Sequence, residues 1–302
     1  MNADLQIIVT AGLVATACGL LGPFLILRRV ALLGDAVSHA VLPGIVATFL
    51  IFETRAPVPV ILGAALFAVI CVLGIEALQA TGLVRSDAAI GLMFPALFSL
   101  GVLGVQRYAE NLHLDLDATI YGEIAFVPLQ LWDVLGFPVA RAIPIVAAVA
   151  LANLVLVAAL WKELKVTSFD PDFARTIGIP PRWLSRLLLV AVAVTAVTAF
   201  ESVGAILVVT LLIVPAATAY LVCERLSTMV ITTVAIGLCA GAGYAGALRL
   251  DASIAGAMGL VAGACFAVTF VLAPRHGLLA RRLQARRARS HQVALLEGSS
   301  GA

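Results

Sequence analysis

The sequence predicts an all-α fold, a polytopic bundle of eight to nine transmembrane helices with one further short helix near 170–178 in a connecting loop. Two observations carry this reading. Hydrophobic residues make up 62% of the 302 and charged residues 12%, against about 25% charged in an ordinary soluble domain. With a mean hydropathy of +1.11, the 19 basic and 17 acidic side chains are too few to cover a water-soluble globule of this length. The apolar residues also fall in long continuous runs. A helix needs about 20 such residues to cross roughly 30 Å of hydrocarbon, and unbroken runs of that length exclude a membrane barrel.

Spans are expected at 5–27, 31–52, 57–80, 88–105, 134–160, 185–200, 203–222, 228–248 and 252–273. The first lacks a basic start and a small-residue cleavage site, so it reads as a retained anchor rather than a signal peptide. The second carries the ionisable residues considered below. The run 185–222 is nearly unbroken and is divided at Glu201-Ser202. Lys and Arg concentrate on the cytoplasmic side of membrane proteins. In this nine-span reading all but Arg55, Arg107, Arg141 and Arg249 fall on one side, which predicts an external N-terminus and a cytoplasmic C-terminus in a bacterial inner membrane. Residues 1–280 form one membrane domain, and 281–302 a basic tail expected to be disordered. The basic residues are topological signals, so no nucleic-acid partner is expected. Cys18, Cys71, Cys223, Cys239 and Cys265 are widely spaced without a C-x-x-C pair and read as small packing residues.

The stretch Leu33-Gly34-Asp35-Ala36-Val37-Ser38-His39-Ala40-Val41-Leu42-Pro43-Gly44 places an acid and an imidazole four residues apart inside a span. That spacing is one helical turn plus about 40°, so both positions share a face, and Ser38 borders it. An exposed carboxylate there would cost at least ~2.5 kcal/mol, so the pair is expected to face a polar pathway. Carboxylate oxygen and imidazole nitrogen suit a divalent ion such as Zn²⁺ or Mn²⁺; the plain alternative is an Asp–His hydrogen bond tying two helices together. Pro43-Gly44 is expected to weaken the helix, as in transporter spans that build substrate sites. Glu201, where the long run divides, reads either as a further ligand at the outer mouth or as a turn residue. Glu76, about one turn from a loop, reads as an interfacial side chain that snorkels. The loop 106–133, with Glu110, His113, Asp115, Asp117 and Glu123, reads as solvated, with a cation funnel or docking surface as the sharper alternative.

Between the fifth and sixth spans, Asp170 can cap a helix, Pro171 fits its first position, Asp172 suits its first turn, and Gly178 with Pro180 stops it. Two turns result, with Phe173, Ala174 and Ile177 as an apolar contact. Such a helix is either a connector or a lever that docks on a partner. The two lysines, Lys162 and Lys165, lie in no G-K-[ST] loop, and H-E-x-x-H is absent, so the chain has neither a phosphate-binding loop nor a zinc-protease site. It is expected to be no enzyme; any ATP is hydrolysed by another polypeptide.

Three ordered segments resemble the ABC-3 family of permease subunits, which import zinc or manganese with a binding protein and a separate ATPase. They are the Leu33-to-Gly44 segment, Phe169-Asp170-Pro171-Asp172-Phe173-Ala174-Arg175-Thr176-Ile177-Gly178, and Val203 to Ala219 around Pro215. The resemblance implies that Asp35 and His39 line the metal route. It also implies that Asp170, Phe173, Ala174, Arg175 and Gly178 belong to a coupling helix seated on the ATPase, and that two permease copies surround one pathway. Pro215 is expected to place a small-residue helix close to its neighbour, while Glu201 departs from the apolar residue expected before that motif. The expected mechanism is alternating access. An extracytoplasmic protein delivers the ion, Asp35 and His39 hold it transiently, and a cytoplasmic ATPase dimer switches the exposure. No cofactor is held permanently. Alternatives are an iron-chelate or cobalamin-type ABC permease, a proton-coupled secondary carrier, and a membrane protein without transport. The residues do not choose zinc over manganese, with a slight lean to zinc.

Overall fold

A span that is apolar on every side must be enclosed by other helices or by lipid, and the first helix, α1 (Ala3–Leu27), is such a span. A computed structural model describes residues 2–30, 32–52, 57–108, 124–134, 137–273, 277 and 280; the side chains of Asp35, Ser38, Pro57, Val58, Ser86, Tyr108, Asp133, Val134 and Phe137 lie outside that description. In it α1 is the most buried span, with Val14, Cys18, Leu21 and Phe24 fully enclosed. There follow α2 (Leu33–Phe52), α3 (Pro57–Ala80), α4 (Ser86–Tyr108), a 3₁₀ turn (Ile124–Leu129), strands β1 (Leu131–Val134) and β2 (Phe137–Ala140), and α5 (Ala142–Ala159). The chain continues through α6 (Trp161–Phe169), α7 (Pro171–Thr176), α8 (Pro181–Val203), α9 (Ala205–Val222), α10 (Leu226–Ala240), α11 (Ala242–Leu250) and α12 (Ile254–Leu272).

Eight spans among the described residues are long and apolar enough to cross a membrane, with α10 and α11 counting as one. The His39–Phe52 part of α2 is a shorter apolar stretch within a helix of 20 residues. Around α1 pack α5, α8, α9 and α10, while α2, α3 and α4 form a second group joined to the first through α8. Helices α6 and α7 lie at one end of the bundle, where the C-terminus of α1 meets α6 and the start of α8 meets α3. The hairpin lies at the other end, beside the start of α5 and the C-terminus of α8.

Hydroxyls inside the spans close on their own helix. Thr195 donates to the Ala191 carbonyl at 2.7 Å and Thr198 to the Val194 carbonyl at 2.5 Å, which lets polar residues sit where water is absent. Asn153 of α5 donates to the Ala17 carbonyl at 3.2 Å and to Thr195 Oγ1 at 2.8 Å, pinning α5 to both α1 and α8.

The structure departs from the expected spans at four places. The long apolar run divides at Gly204, not at Glu201-Ser202, because Gly204 adopts φ +83° while Ser202 bonds back to the Thr198 carbonyl and keeps α8 helical. Residues 134 and 137–140, expected to open the fifth span, belong to two paired strands, with Leu131 opposite Ala140 and Val134 opposite Phe137. Helix continues past 160 as α6. The eighth span is two helices meeting at Gly241. Helix α2 runs on through Pro43-Gly44 and α9 through Pro215, so neither proline interrupts its helix. The acidic loop residues 110–123 and the tail 281–302 lie outside the described residues.

Candidate metal pathway

Asp35 is the third residue of α2 and His39 lies one turn further on. Since the helix is continuous there, positions 35 and 39 share a face, with 38 beside it. The His39 ring is partly buried and rests on two aromatic rings of α4, tilted against Phe94 at 4.9 Å and edge-on to Phe98 at 5.6 Å. These contacts hold the imidazole plane between α2 and α4.

Close backbone approach holds α2 in place. A Cβ on Gly44 would overlap the Gly63 carbonyl of α3, a Cβ on Gly63 would overlap Thr48 Oγ1, and a Cβ on Gly101 of α4 would come within 2.9 Å of the Pro43 nitrogen. Pro43, which leaves the carbonyl one turn back without its helical donor, therefore sits against a glycine. Thr48 donates to the Gly44 carbonyl at 2.9 Å, so its hydroxyl is satisfied within α2 just beyond the proline. At Pro215 the small residues act in the same way: Ala216 and Ala219 are fully buried, and a Cβ on Gly22 of α1 would stand 3.0 Å from the Ala216 Cβ.

No group of three or more His, Cys, Asp or Glu converges among the described residues. A closed structural metal centre of the four-ligand kind is therefore not formed by those residues. Cys18 and Cys71 are buried as packing residues.

Glu201 is not brought to this pair. It occupies the last turn of α8, at the hairpin end, and forms an ion pair with Arg141. The Arg141 guanidinium also lies 5.9 Å from the Trp132 ring centroid, so one cation ties the hairpin, the start of α5 and the end of α8 together. Glu76, expected to snorkel, accepts from Arg186 Nε of α8 at 2.8 Å, with its side chain 15% exposed.

Helix α7 forms as its punctuation dictates. Asp170 Oδ1 accepts from the Phe173 N–H at 2.9 Å, Pro171 opens the helix, and Gly178 leaves it at φ +81°, a conformation that favours glycine. Phe173 and Ile177 are about half exposed, as are Phe169 and Trp183 on the adjoining segments. Ala174 is different. Expected on the same apolar contact, it is fully buried on the side that packs on α6 and α8. Arg175 pairs with Asp172 at 2.6 Å, both exposed.

In the sequence Arg28 reads as a topological charge only. Its Nε donates to Ser168 Oγ at 3.2 Å and its Nη2 to Thr167 Oγ1 at 2.9 Å, and burial pushes the guanidinium down to about 10, still fully charged at neutral pH. No local signal marks this contact, because its partners lie 139 and 140 residues away.

Residues 4–274 match the ABC 3 transport family. The chain is 41% identical over 286 residues to the manganese transport system membrane protein MntD of Bacillus subtilis (strain 168), covering 94% of this chain and 97% of that one. It is 40% identical over 280 residues to the zinc transport system membrane protein TroD of Treponema pallidum (strain Nichols), covering 92% and 76%. The fold is similar to a chain of PsaBC from Streptococcus pneumoniae solved in complex with Fab, at a TM-score of 0.76 and 30% identity over 93% of this chain and 96% of that one.

Proposed function

The chain belongs to the ABC 3 transport family, and from that membership we propose that it is the membrane-spanning permease subunit of an ATP-driven importer of divalent transition metal, manganese or zinc. The near-equal identities with a manganese and a zinc system protein support either ion as cargo.

One observation carries the assignment of the route: an acid and an imidazole one turn apart on a span held between α3 and α4, outside any closed ligand set among the described residues. A cargo ion must be held loosely enough to leave, and two ligands from one chain suit that. A second copy of the permease completes the coordination. An extracytoplasmic metal-binding protein loads the ion from the N-terminal side, and an ATPase dimer seats against α7 on the cytoplasmic side. Its exposed Phe173 and Ile177 support this docking, while Arg175 and Gly178 shape the segment and Ala174 anchors it inward. Proline at 43 and 215 leaves α2 and α9 each one backbone bond short, which favours bending there during alternating access. Glu201, held by Arg141, is structural in this reading.

Replacing Asp35 or His39 by Ala is expected to abolish uptake of radioactive manganese and zinc while the ATPase still co-purifies with the permease. Undiminished uptake by both variants removes the pair from the route. Vanadate-insensitive, proton-driven uptake by the chain alone would make it a secondary carrier.

A further inference from the structure

One side chain, Arg28, joins the segment that leads into α2 to the end of α6, the helix that precedes α7. Arg28 follows α1 directly, and α2 begins five residues later at Leu33. The link between them is short and bonded to itself: the Val30 N–H donates to the Leu25 carbonyl at 3.0 Å, and the Leu33 N–H to the Val30 carbonyl at 3.1 Å. Arg29 takes φ +58°, which turns the chain sharply there. These two bonds tie the residues on either side of the link to one another and to the end of α1.

On its other side Arg28 grips the end of α6. Thr167 and Ser168 immediately precede Phe169, Asp170 and the first residue of α7. The Thr167 hydroxyl donates to the Glu163 carbonyl at 2.8 Å, so it meets the guanidinium as an acceptor. The planar fork of arginine spans two neighbouring hydroxyls, which the single ammonium of lysine cannot do with the same geometry. The Phe24 ring meets the Trp161 ring edge-on at 6.5 Å, so the start of α6 is packed on α1 as well. Arg28 is where the polar part of that joint lies.

We propose that Arg28 is a positioning residue that transmits movement of α7 to α2, through Thr167 and Ser168 on one side and the backbone bonds of Val30 to Leu25 and Leu33 on the other. The proposal rests on the reading in which α7 docks on the ATPase. It assigns to a residue outside the metal route a role in how many ions move per ATP, and none in binding either.

The test uses the complete transporter, assembled with its ATPase and binding protein in proteoliposomes, with radioactive manganese and zinc as probes. Arg28→Lys keeps the positive charge that orients the span, so it separates geometry from topology. The expected result is parental assembly and continuing ATP hydrolysis, with ions moved per ATP lower by about fivefold or more, the lower end of typical coupling between sites. Thr167→Val, which removes the acceptor and keeps the side-chain shape, is expected to act in the same direction. An unchanged ratio in both variants overturns the proposal. So does a parallel fall of uptake and hydrolysis in step with the amount of assembled complex, since that describes a merely structural contact. Phe173→Ala is read separately: full retention and function of the ATPase there refutes the docking of α7, whatever the Arg28 variants do.

Discussion

At Gly63 the bundle leaves no room for a side chain, because the position of its Cβ is already occupied by Thr48 Oγ1 and lies 2.8 Å from the Gly44 carbonyl. The Gly44 carbonyl is backbone, and Thr48 Oγ1 can turn away only by giving up its bond to that carbonyl. Gly63→Ala is expected to cost about 1–3 kcal/mol, the usual range for overpacking, and to loosen α2 from α3. Gly246 in α11 is the control: nothing lies within 4 Å of its Cβ, and alanine there should be neutral or stabilise slightly through helix propensity. Thermal unfolding of the two variants in detergent checks the difference, and equal melting temperatures would contradict the packing of α2 on α3. These contacts were not legible in the sequence. Glycine at 44 and 63 suggests small contacts in a membrane helix without naming partners. The pairs Glu76–Arg186 and Glu201–Arg141 join residues 110 and 60 apart, a separation that only the folded topology spans.

The six residues of α7 are too few to be stable as a helix alone, so the cap matters more here than in a long span. Asp170→Ala removes the acceptor for the Phe173 N–H and is expected to cost about 1 kcal/mol locally, lowering retention of the ATPase in a pull-down. Asp170→Asn keeps the capping oxygen and should restore it; an Asn variant as weak as the Ala variant would assign the effect to charge rather than to the cap. Asp172→Ala breaks an ion pair whose side chains are 84% and 58% exposed, and such pairs contribute little, so retention should stay near the parental level. This element was readable because capping, proline and glycine signals act within four residues of one another. Hydropathy is blunter. It cannot tell a short apolar strand from the start of a helix, which is why 134–140 was read into the fifth span. It also passes over Gly204, whose positive φ ends α8 inside an unbroken apolar run, while the polar Glu201-Ser202 just before it stays helical.

The whole bundle turns on whether α2 crosses the membrane. Eight spans meet the length and hydropathy needed among the described residues, and α2 adds a ninth only if its 20 residues, Asp35 included, lie across the bilayer. Its enclosure by α3 and α4, through glycine contacts that reach Gly104 against Val46 at the far end, favours crossing. A lipid-facing carboxylate would oppose it, and the proposed pathway shared with a second copy would remove that cost. An odd number of crossings puts the termini on opposite sides, an even number on the same side. In a variant whose five native cysteines are replaced, a cysteine introduced at Asn2 should react with an impermeant maleimide in intact cells. One introduced at Ser300 should react only after the membrane is opened. Equal reactivity of the two from outside, or protection of both, means an even count. In that case α2 no longer spans, Asp35 and His39 lie at the surface rather than on a route through the bundle, and the link from α7 through Arg28 leads to no pathway.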